Sequence, residues 1–447
     1  MTPTTAKHRL SVWLLSDIDN SALIFFRIAF GFILALQPLE LLLTRVVQYE
    51  YAGSPFTFPY DGLGFLQPLP GNGMYYYFAL QIVLGLMVMT GTLYRISIAA
   101  YTILWAAAFA MQETIYNNHF YLELLLCAIL CISPAGSYAA IDTWRKPERR
   151  QTHCKQWVMA LLMGQVAIIF TYAALNKLYP DWLSGRYLSL VCARKRNFPF
   201  VGWMYGIPAT RYLLTYGGIL FDLLIVPLML WRKSRPYAFI ACCIFAGFNF
   251  ITFHIGLFPL MTIVMAALFF EPRQFNRVFF RNKHAVTPDA LNSNKSDAAL
   301  YFVYIYIAIQ ILLPMRPLLY PGNTMWTEDG NRFCWRMMLR DKKGVLQYRI
   351  YDPETRQRWT YEPGEELNAY DQAFVAVYPD MIWKYAQHIA VVWTKKGYPK
   401  AEIRASSMVS LNNYPAQEMI DTNTDLAHTP RQVFAHEKWI KPWQQPQ

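Results

Sequence analysis

The stretch IIFTYAALNKLYPDWLSG, residues 168–185, places a single lysine at the end of a long apolar run. Residues 157–176 contain no charged side chain, and at about 1.5 Å per residue this run is long enough to cross roughly 30 Å of hydrocarbon. Pro180, with aromatic residues on both sides, indicates that the helix ends in the interfacial layer. We therefore place Lys177 at the mouth of a membrane-spanning helix.

Lys177 has two interpretations. In the simpler one, its side chain only extends to the membrane interface and marks the helix end. In the other, the amine is partly buried. Moving an ammonium from water into a low-dielectric pocket lowers its pKa, and the neutral amine can then act as a base. The choice depends on which other polar residues lie near Lys177.

The composition is typical of a polytopic membrane protein with a soluble part. Of 447 residues, 55% are hydrophobic and only 16% are charged, which is too apolar for an ordinary soluble protein. The formal net charge is +12, but no nucleic-acid-binding motif stands out, so we expect a lipid bilayer and no nucleic acid as partner. The seven cysteines are scattered, several of them inside apolar segments, and imply no metal site.

Nine apolar stretches predict membrane spans, at residues 21–44, 74–93, 95–112, 119–135, 157–177, 213–231, 237–253, 255–270 and 299–315. An odd number of spans places the two termini on opposite sides of the membrane. Connections on the N-terminal side hold sixteen Lys and Arg residues, and those on the other side hold six. Because cytoplasmic loops carry the excess of Lys and Arg, we expect a cytoplasmic N-terminus, an extracytoplasmic C-terminal part and Lys177 at the outer face.

The sequence pattern changes from apolar runs to alternation after residue 321. The alternation predicts two strands around DKKG in residues 332–350, a third strand at 356–362, a helix at 367–394 and further strand at 401–411. We expect residues 1–318 to form a polytopic α-helical membrane domain. Residues 319–447 should form an extramembrane domain, α+β or β-sandwich-like, that is large enough for its own core.

Three polar segments converge at the outer face in this topology. They are the NNH motif of residues 117–119, the helix end at Lys177, and FNFITFHIGLFP, which carries Asn249 and His254. Ionisable and amide groups at one membrane face suit a buried reaction site. Each group alone is a weak signal, and His119 by itself is typical of an interfacial histidine.

The order of longer motifs is more specific than any of these residues. It runs FRIAFG, FTFPYDGLGFLQPLPG, YNNHFYL, LNKLYPDW, GGILFDLL and IGLFP, and continues in the soluble part with WTEDGNRFCWRMMLRDK and VSLNNYPAQEMID. This order resembles the vitamin K-dependent gamma-carboxylase family with its HTTM membrane domain, over almost the whole chain. We expect a bacterial-type homologue, which would lie in the cell inner membrane.

The resemblance implies an enzyme that oxidises reduced vitamin K, a menaquinol- or phylloquinol-type hydroquinone, with O₂ to an epoxide. In that family, the alkoxide formed on the way removes a γ-proton from a glutamate side chain of a peptide or protein, which then captures CO₂. The family lysine that deprotonates the hydroquinone corresponds to Lys177, and the histidine of its NNH motif corresponds to His119. The residue type fits, because a lysine made neutral by an apolar pocket can accept a phenolic proton.

Amides beside these two residues are expected to hold oxygen-centred anions. The candidate catalytic residues are therefore Lys177, His119 and Asn118, and Asn117, Asn249 and His254 are candidate substrate-binding residues. A pocket that faces the membrane would admit a lipid quinol from the side, and the exclusion of water would protect a strongly basic intermediate.

The segment WTEDGNRFCWRMMLRDK corresponds to the glutamate-binding region of the animal enzyme, and it departs from the family pattern. Asn331 stands where a tyrosine is usual, and Arg340 stands where the animal protein has histidine. Arg336 and Arg340 would lie on one face and can bind a carboxylate in a bidentate manner. Together with Trp335 they are further candidate substrate-binding residues, which would position an acidic peptide. A strand edge whose arginines face water is the alternative.

The chain is also much shorter than the animal enzyme, and its first outer loop has no cysteine to pair with the soluble domain. Whether Cys192 and Cys334 form a disulfide stays open. These differences concern the protein substrate more than the quinol chemistry. Two alternatives are a quinol epoxidase without carboxylase activity and a non-catalytic membrane protein that binds a lipid or a peptide. A transporter would need internal repeats, and the sequence shows none.

Overall fold

A computed structural model describes residues 6–199, 201–253, 255–283 and 297–445. The helices of this described part are α1 (Ala6–Leu15), α2 (Ser21–Leu43), α3 (Gly73–Thr90), α4 (Tyr94–Met111), α5 (Asn118–Ile132), α6 (Ile141–Arg145), α7 (Gln156–Asn176), α8 (Pro180–Leu183), α9 (Arg186–Lys195), α10 (Gly202–Tyr205), α11 (Pro208–Leu230), α12 (Arg235–Phe253), α13 (Phe258–Ala267), α14 (Pro272–Val278), α15 (Asp297–Leu312), α16 (Thr324–Thr327), α17 (Ala369–Val375) and α18 (Pro379–Lys395). The strands are β1 (Asp17–Asp19), β2 (His153–Lys155), β3 (Lys342–Tyr351), β4 (Arg358–Tyr361), β5 (Glu402–Leu411) and β6 (Gln417–Glu418).

Long apolar helices dominate the chain before residue 320. Among the described residues, seven are long and apolar enough to cross a membrane: α2, α3, α4, α7, α11, α12, and α15 together with the 3₁₀ turn that extends it to Leu319. Apolar runs form helices here because a membrane-spanning segment has to satisfy its backbone hydrogen bonds internally. The chain is therefore a multi-pass membrane protein.

Two of the nine predicted spans contain shorter helices. Residues 119–135 contain α5, with 15 residues, and residues 255–270 contain α13, with 10 residues. At about 1.5 Å per residue these helices measure about 22 Å and about 15 Å, which is less than the roughly 30 Å of a hydrocarbon core. Helix length therefore supports seven complete spans and leaves the other two as predictions.

Two glycines bring α2 and α3 into close contact. A Cβ atom on Gly31 would lie 2.5 Å from the backbone nitrogen of Met89, and one on Gly85 would lie 2.5 Å from that of Ala35. Small residues permit this approach, which is a common way for helices to pack in a membrane. A larger side chain at either glycine would push the two helices apart.

The chain after residue 320 folds around a four-stranded antiparallel sheet in the order β4-β3-β5-β6. β3 and β5 pair along their full length, with Gln347 opposite Ser406. Because alternate residues of a strand point to opposite faces, Tyr348 and Ile403 share the buried face, and they pack in one core with Ile382 of α18. This architecture fits the α+β alternative, since the described residues after 320 contain no second sheet stacked on the first.

The prediction of a strand before DKKG is wrong. Residues 332–341 contain three residues with positive φ, namely Phe333 at 65°, Trp335 at 56° and Met338 at 51°. A strand needs strongly negative φ, so this segment cannot be extended. DKKG is not a turn either, because Lys342 begins β3.

The predicted helix at residues 367–394 is two helices. α17 ends at Val375, and Pro379 begins α18. A proline lacks the backbone N–H of a helix interior, and its ring restricts the preceding residue, so it is well placed only in the first turn of a new helix.

Buried apolar side chains form two hydrophobic cores. One fills the helical bundle and includes Phe26 and Leu126, and the other lies around the sheet and includes Tyr385 and Ile403. The predicted boundary between residues 318 and 319 falls inside the 3₁₀ turn Leu313–Leu319 and stays a prediction.

Candidate active site

Lys177 lies where α7 ends. Its backbone N–H still donates to the carbonyl oxygen of Ala174 at 3.1 Å, as the last turn of a helix does. Pro180 then begins the short helix α8, so the chain turns away within three residues. The sequence LNKLYP therefore places the amine at the end of the bundle.

A cavity of about 570 Å³ opens beside this helix end. Its polar and ionisable lining residues are Asn117, Asn118, His119, Lys177, Asp222, Asn249 and Arg336. The rest of the wall is mostly apolar and includes the rings of Phe170, Phe221, Phe245, Phe248, Phe253 and Phe258. A few polar groups in an apolar wall, at this volume, are typical of a small-molecule site.

This cavity collects most of the site residues that the sequence predicts. Lys177, His119, Asn118, Asn117, Asn249 and Arg336 all line it, although they come from widely separated parts of the chain. His254 lies outside the described residues. Trp335 and Arg340 are described, but neither lines the cavity.

Lys177 forms an ion pair with Asp222 of α11, in which Nζ donates to Oδ2. The side chains are only 12% and 4% exposed, respectively. Nζ also lies 5.4 Å from the centre of the Trp182 ring. Opposite charges attract strongly where water is excluded, so the carboxylate holds the amine at the cavity wall. The prediction from the sequence places apolar surroundings alone around the amine and does not include this carboxylate.

Asp222 is a site residue that the sequence reasoning missed. The signal was present, because Asp222 is the one acidic residue of α11 and lies in the motif GGILFDLL. An ionisable residue inside a membrane span points to a functional site. Its partner could not be read from the sequence, since Lys177 is 45 residues away on another helix and an apolar helix does not reveal which side faces which neighbour.

His119 lies in the first turn of α5, with 5% of its surface exposed. Asn117 caps this helix, because its Oδ1 accepts a hydrogen bond from the backbone N–H of His119 at 3.4 Å. The imidazole ring centre lies 4.5 Å from that of Phe120 and 6.2 Å from that of Phe258. The described residues provide no hydrogen-bond partner for the ring nitrogens, which leaves them available to a molecule in the cavity.

A strap, defined as residues 333–339, lies across the end of the bundle where the cavity opens, and Met337 and Met338 line the cavity from it. Four side chains of the membrane domain bond to its backbone. They are Tyr116 to the N–H of Phe333 at 2.6 Å, Asn176 to the carbonyl of Cys334 at 2.8 Å, Asn118 to the carbonyl of Arg336 at 3.3 Å, and Tyr179 to the carbonyl of Leu339. The amide of Asn118 therefore serves to hold the strap.

Arg336 and Arg340 have different surroundings. Arg340 makes a bidentate ion pair with Glu328, with Nε 2.8 Å from Oε1, and although burial opposes it, Glu328 raises the pKa of Arg340. Arg336 lines the cavity, its Nε is buried without a partner, and the described residues offer it no carboxylate in an ion pair. Burial and the charge of Arg340 lower the pKa of Arg336. Arg336 is therefore the arginine that is free to bind an anion.

Trp335 packs into the bundle core. It is 1% exposed, and its ring centre lies 5.1 Å from that of Tyr121 in a stacked arrangement. Cys192 and Cys334 are both free thiols, so the strap is held by hydrogen bonds and packing.

Comparison with protein families supports the same assignment for both parts of the chain. The HTTM domain model matches residues 15–273, more than half of the chain. The model of the lumenal domain of vitamin K-dependent gamma-carboxylase matches residues 295–446. No solved structure matches this chain. The chain therefore belongs to the vitamin K-dependent gamma-carboxylase family.

Proposed function

We propose that this protein oxidises a reduced naphthoquinone of the vitamin K type with O₂ to its epoxide and uses the reaction to carboxylate glutamate side chains with CO₂. The observation that carries the proposal is the apolar cavity at the end of the bundle, with the amine of Lys177 in its wall. Its volume of about 570 Å³ lies within the range of roughly 300–1,000 Å³ of small-molecule sites, and its aromatic wall suits a fused-ring quinol.

Lys177 is the proposed general base. Its amine would accept the proton of a quinol hydroxyl, which requires that the amine first be deprotonated. His119 and Asn249 would hydrogen-bond the quinol oxygens, because both line the cavity and the imidazole has no partner among the described residues. Oxidation of the bound quinol by O₂ would supply the strong base that the removal of a glutamate γ-proton needs.

Arg336 is the proposed binding residue for the glutamate carboxylate. It is a cation in the cavity wall without an ion-pair partner among the described residues, and a guanidinium matches the geometry of a carboxylate. Asn118 would position it by holding its backbone carbonyl. Met337 and Met338 beside it add apolar contacts that would keep water away from the reacting atoms.

A lipid quinol could reach the cavity from the membrane between α11 and α12. Leu213 of α11 and Ile244 of α12 each line the cavity, and each is 67% exposed. An opening between these two helices would therefore be bordered by exposed apolar side chains. An isoprenoid tail could pass there while the ring lies beside Lys177.

We further propose that the protein lies in a bacterial inner membrane, with its N-terminus in the cytoplasm and its C-terminal domain outside the cytoplasm. This arrangement needs α5 and α13 to cross with the seven longer helices. The support is the excess of Lys and Arg in the N-terminal-side connections, sixteen against six. A reporter fused after Ile420 should therefore be active only outside the cytoplasm, and a reporter active in the cytoplasm would overturn the topology.

The test uses the purified full-length protein in lipid nanodiscs. A reduced naphthoquinone and O₂ should yield the epoxide, measured by mass spectrometry, and labelled CO₂ should enter a glutamate-containing peptide in the same sample. Epoxide without incorporated label would favour the alternative of a quinol epoxidase without carboxylase activity. If the protein binds the quinol but forms no epoxide, it is a non-catalytic lipid-binding protein and the proposal is wrong.

A further inference from the structure

Asp222 is the only acidic residue among the described residues that line the cavity. Its carboxylate lies within the span α11, is 4% exposed, and has the amine of Lys177 as its one hydrogen-bond partner in the described part of the chain. Burying a carboxylate in an apolar span is unfavourable. A lysine at a helix end does not need a buried partner, because its long side chain can reach the interface.

We propose that Asp222 is a positioning residue that sets the base strength of Lys177 and holds its amine at the cavity wall. The inference rests on the proposed function, in which Lys177 accepts the quinol proton. In that step the quinol O–H bond breaks and an N–H bond forms on Nζ. The quinol oxygen gains a negative charge and the amine a positive one, and Asp222 keeps its own charge and faces the new ammonium.

The physical reason is that an unpaired amine in an apolar cavity is a weak base. Its protonated form has lost its hydration, and nothing offsets that loss. A phenolic proton would then have little tendency to move to the amine. The carboxylate of Asp222 restores that tendency, because it stabilises the ammonium directly.

The other charges around the pair make this role more important. Arg336 is the second cation of the cavity, and it opposes a further positive charge on Lys177. Among the described residues, His119 is the remaining titratable group in the wall. Asp181 is only four residues from Lys177, but its carboxylate binds Asn412 at 2.6 Å and Tyr414 at 3.1 Å instead. In the part of the chain that the structure describes, Asp222 alone is placed to offset the charge on the amine.

The experiment measures the protonation of Lys177 directly. The full-length protein in nanodiscs is labelled with acetic anhydride over a range of pH, and the acetylation rate of Lys177 is followed by mass spectrometry. Lys400, which is 68% exposed, serves as the internal reference. The rate reports the neutral amine. In Asp222→Asn it should rise at neutral pH by at least about tenfold, since an opposite charge within contact shifts such an equilibrium by about 1–3 pH units.

Two matched variants separate this role from a structural one. Asp181→Asn removes a nearby carboxylate that does not touch the amine, and it should leave the labelling curve in place. Asp222→Glu keeps the charge and should stay near the wild type. If the Asp222→Asn variant does not fold, Lys177 will be acetylated at the same rate as Lys400 at every pH. The labelling curve of Asp222→Glu then tests the proposal. A Glu curve displaced as in the Asn variant would show a steric role and overturn the proposal.

Epoxide formation gives an independent readout. In Asp222→Asn the acid limb of the pH profile should move to lower pH, because the amine loses its proton more easily, and the plateau rate should fall, because the base is weaker. A lower plateau with an unmoved acid limb, or an unchanged labelling curve, would contradict the proposal. Absence of epoxide in the wild type would overturn the proposed function and leave the labelling result standing.

Discussion

Lys177 and Asp222 are nearly buried together, so removal of the amine should have two consequences. Lys177→Ala should abolish epoxide formation, because no other lysine lines the cavity among the described residues. It should also lower the free energy of unfolding by about 3–5 kcal/mol, since a buried carboxylate loses its partner. A lysine that only marked the helix end would cost no more than about 1 kcal/mol. Epoxide yield and melting temperature measure the two effects.

Two further experiments test whether Lys177 is the base: the Lys177→Arg variant, and the addition of a small amine to Lys177→Ala. Arginine can keep the ion pair but stays protonated, so the variant should fold normally and form no epoxide. A small primary amine added to Lys177→Ala should restore part of the rate, and more of it as pH rises and more of the amine is neutral. A fully active Arg variant would end the assignment of Lys177 as the base.

Substitution of Arg336, in the strap, and of Arg340, directly after it, should have different effects. Arg336→Gln should raise the KM for a glutamate peptide by about tenfold to a hundredfold, the worth of charge-assisted hydrogen bonds, with epoxide formation from the quinol alone retained. Arg340→Gln should instead cost about 2 kcal/mol of stability, because it breaks a buried pair with Glu328. Peptide-dependent CO₂ incorporation and thermal melting distinguish them. Equal effects on both readouts would mean that Arg336 is structural.

At the level of residues, the sequence predicts the positions of polar groups better than their partners. Lys177 and His119 could be placed at one face, because both lie at ends of apolar runs and the topology brings those ends together. The role of Asp222 could not be predicted, since its partner depends on the rotation of α11 about its axis. The separation of Arg336 from Arg340 depends on the backbone turn at Met338.

Among the elements, the spans could be predicted and the strap could not. Apolar runs determine the long helices locally, so their positions follow from composition. The strap is held in place by side chains of distant elements, including Tyr116 and Asn176. Its three residues with positive φ are tolerated only because these non-local contacts stabilise them, and no local pattern indicates such contacts.

The two helices beside the cavity offer a matched pair of glycines. Gly217 of α11 lines the cavity, and Gly247 of α12 does not and has open space around it. Gly217→Leu should add a side chain to the cavity and raise the KM for quinol by at least about tenfold. Gly247→Leu makes the same change on the exposed side of the bundle and should leave the KM unchanged. Equal KM values for both variants would place the quinol elsewhere.

Across the whole molecule, a network of ion pairs fastens the C-terminal domain to the bundle. Arg332 pairs with Asp380 at 2.5 Å and with Glu113, two residues after α4, at 3.1 Å. Lys384 of α18 pairs with Glu113 as well. Although burial alone would raise it, the charges of Arg332, Arg431 and Lys384 lower the pKa of Asp380 to about 2. Because Arg332 directly precedes the strap, these ion pairs help to hold the strap over the cavity.

In a second contact between the two parts, the pKa of a buried carboxyl group is raised instead of lowered. Asp371 of α17 and Glu50, which follows α2, are both buried, and the amide of Asn368 donates to both carboxylates, at 2.9 Å and 3.3 Å. Burial and the charge of Glu50 raise the pKa of Asp371 to about 7, whereas an unfolded aspartate titrates near about 3.9. The folded protein therefore holds this proton more tightly than the unfolded chain does.

The stability that this proton contributes is fully present below about pH 4 and is lost as pH rises through about 7. The melting temperature should therefore fall between pH 5 and pH 7, at a rate equivalent to up to about 1.4 kcal/mol per pH unit. Asp371→Asn should flatten this slope and stabilise the protein above pH 7, because an amide cannot ionise. Asp380→Asn is the matched control. It should lower the melting temperature throughout and leave the slope in place, since Asp380 titrates below this range. A slope that survives Asp371→Asn would assign the pH dependence to another group.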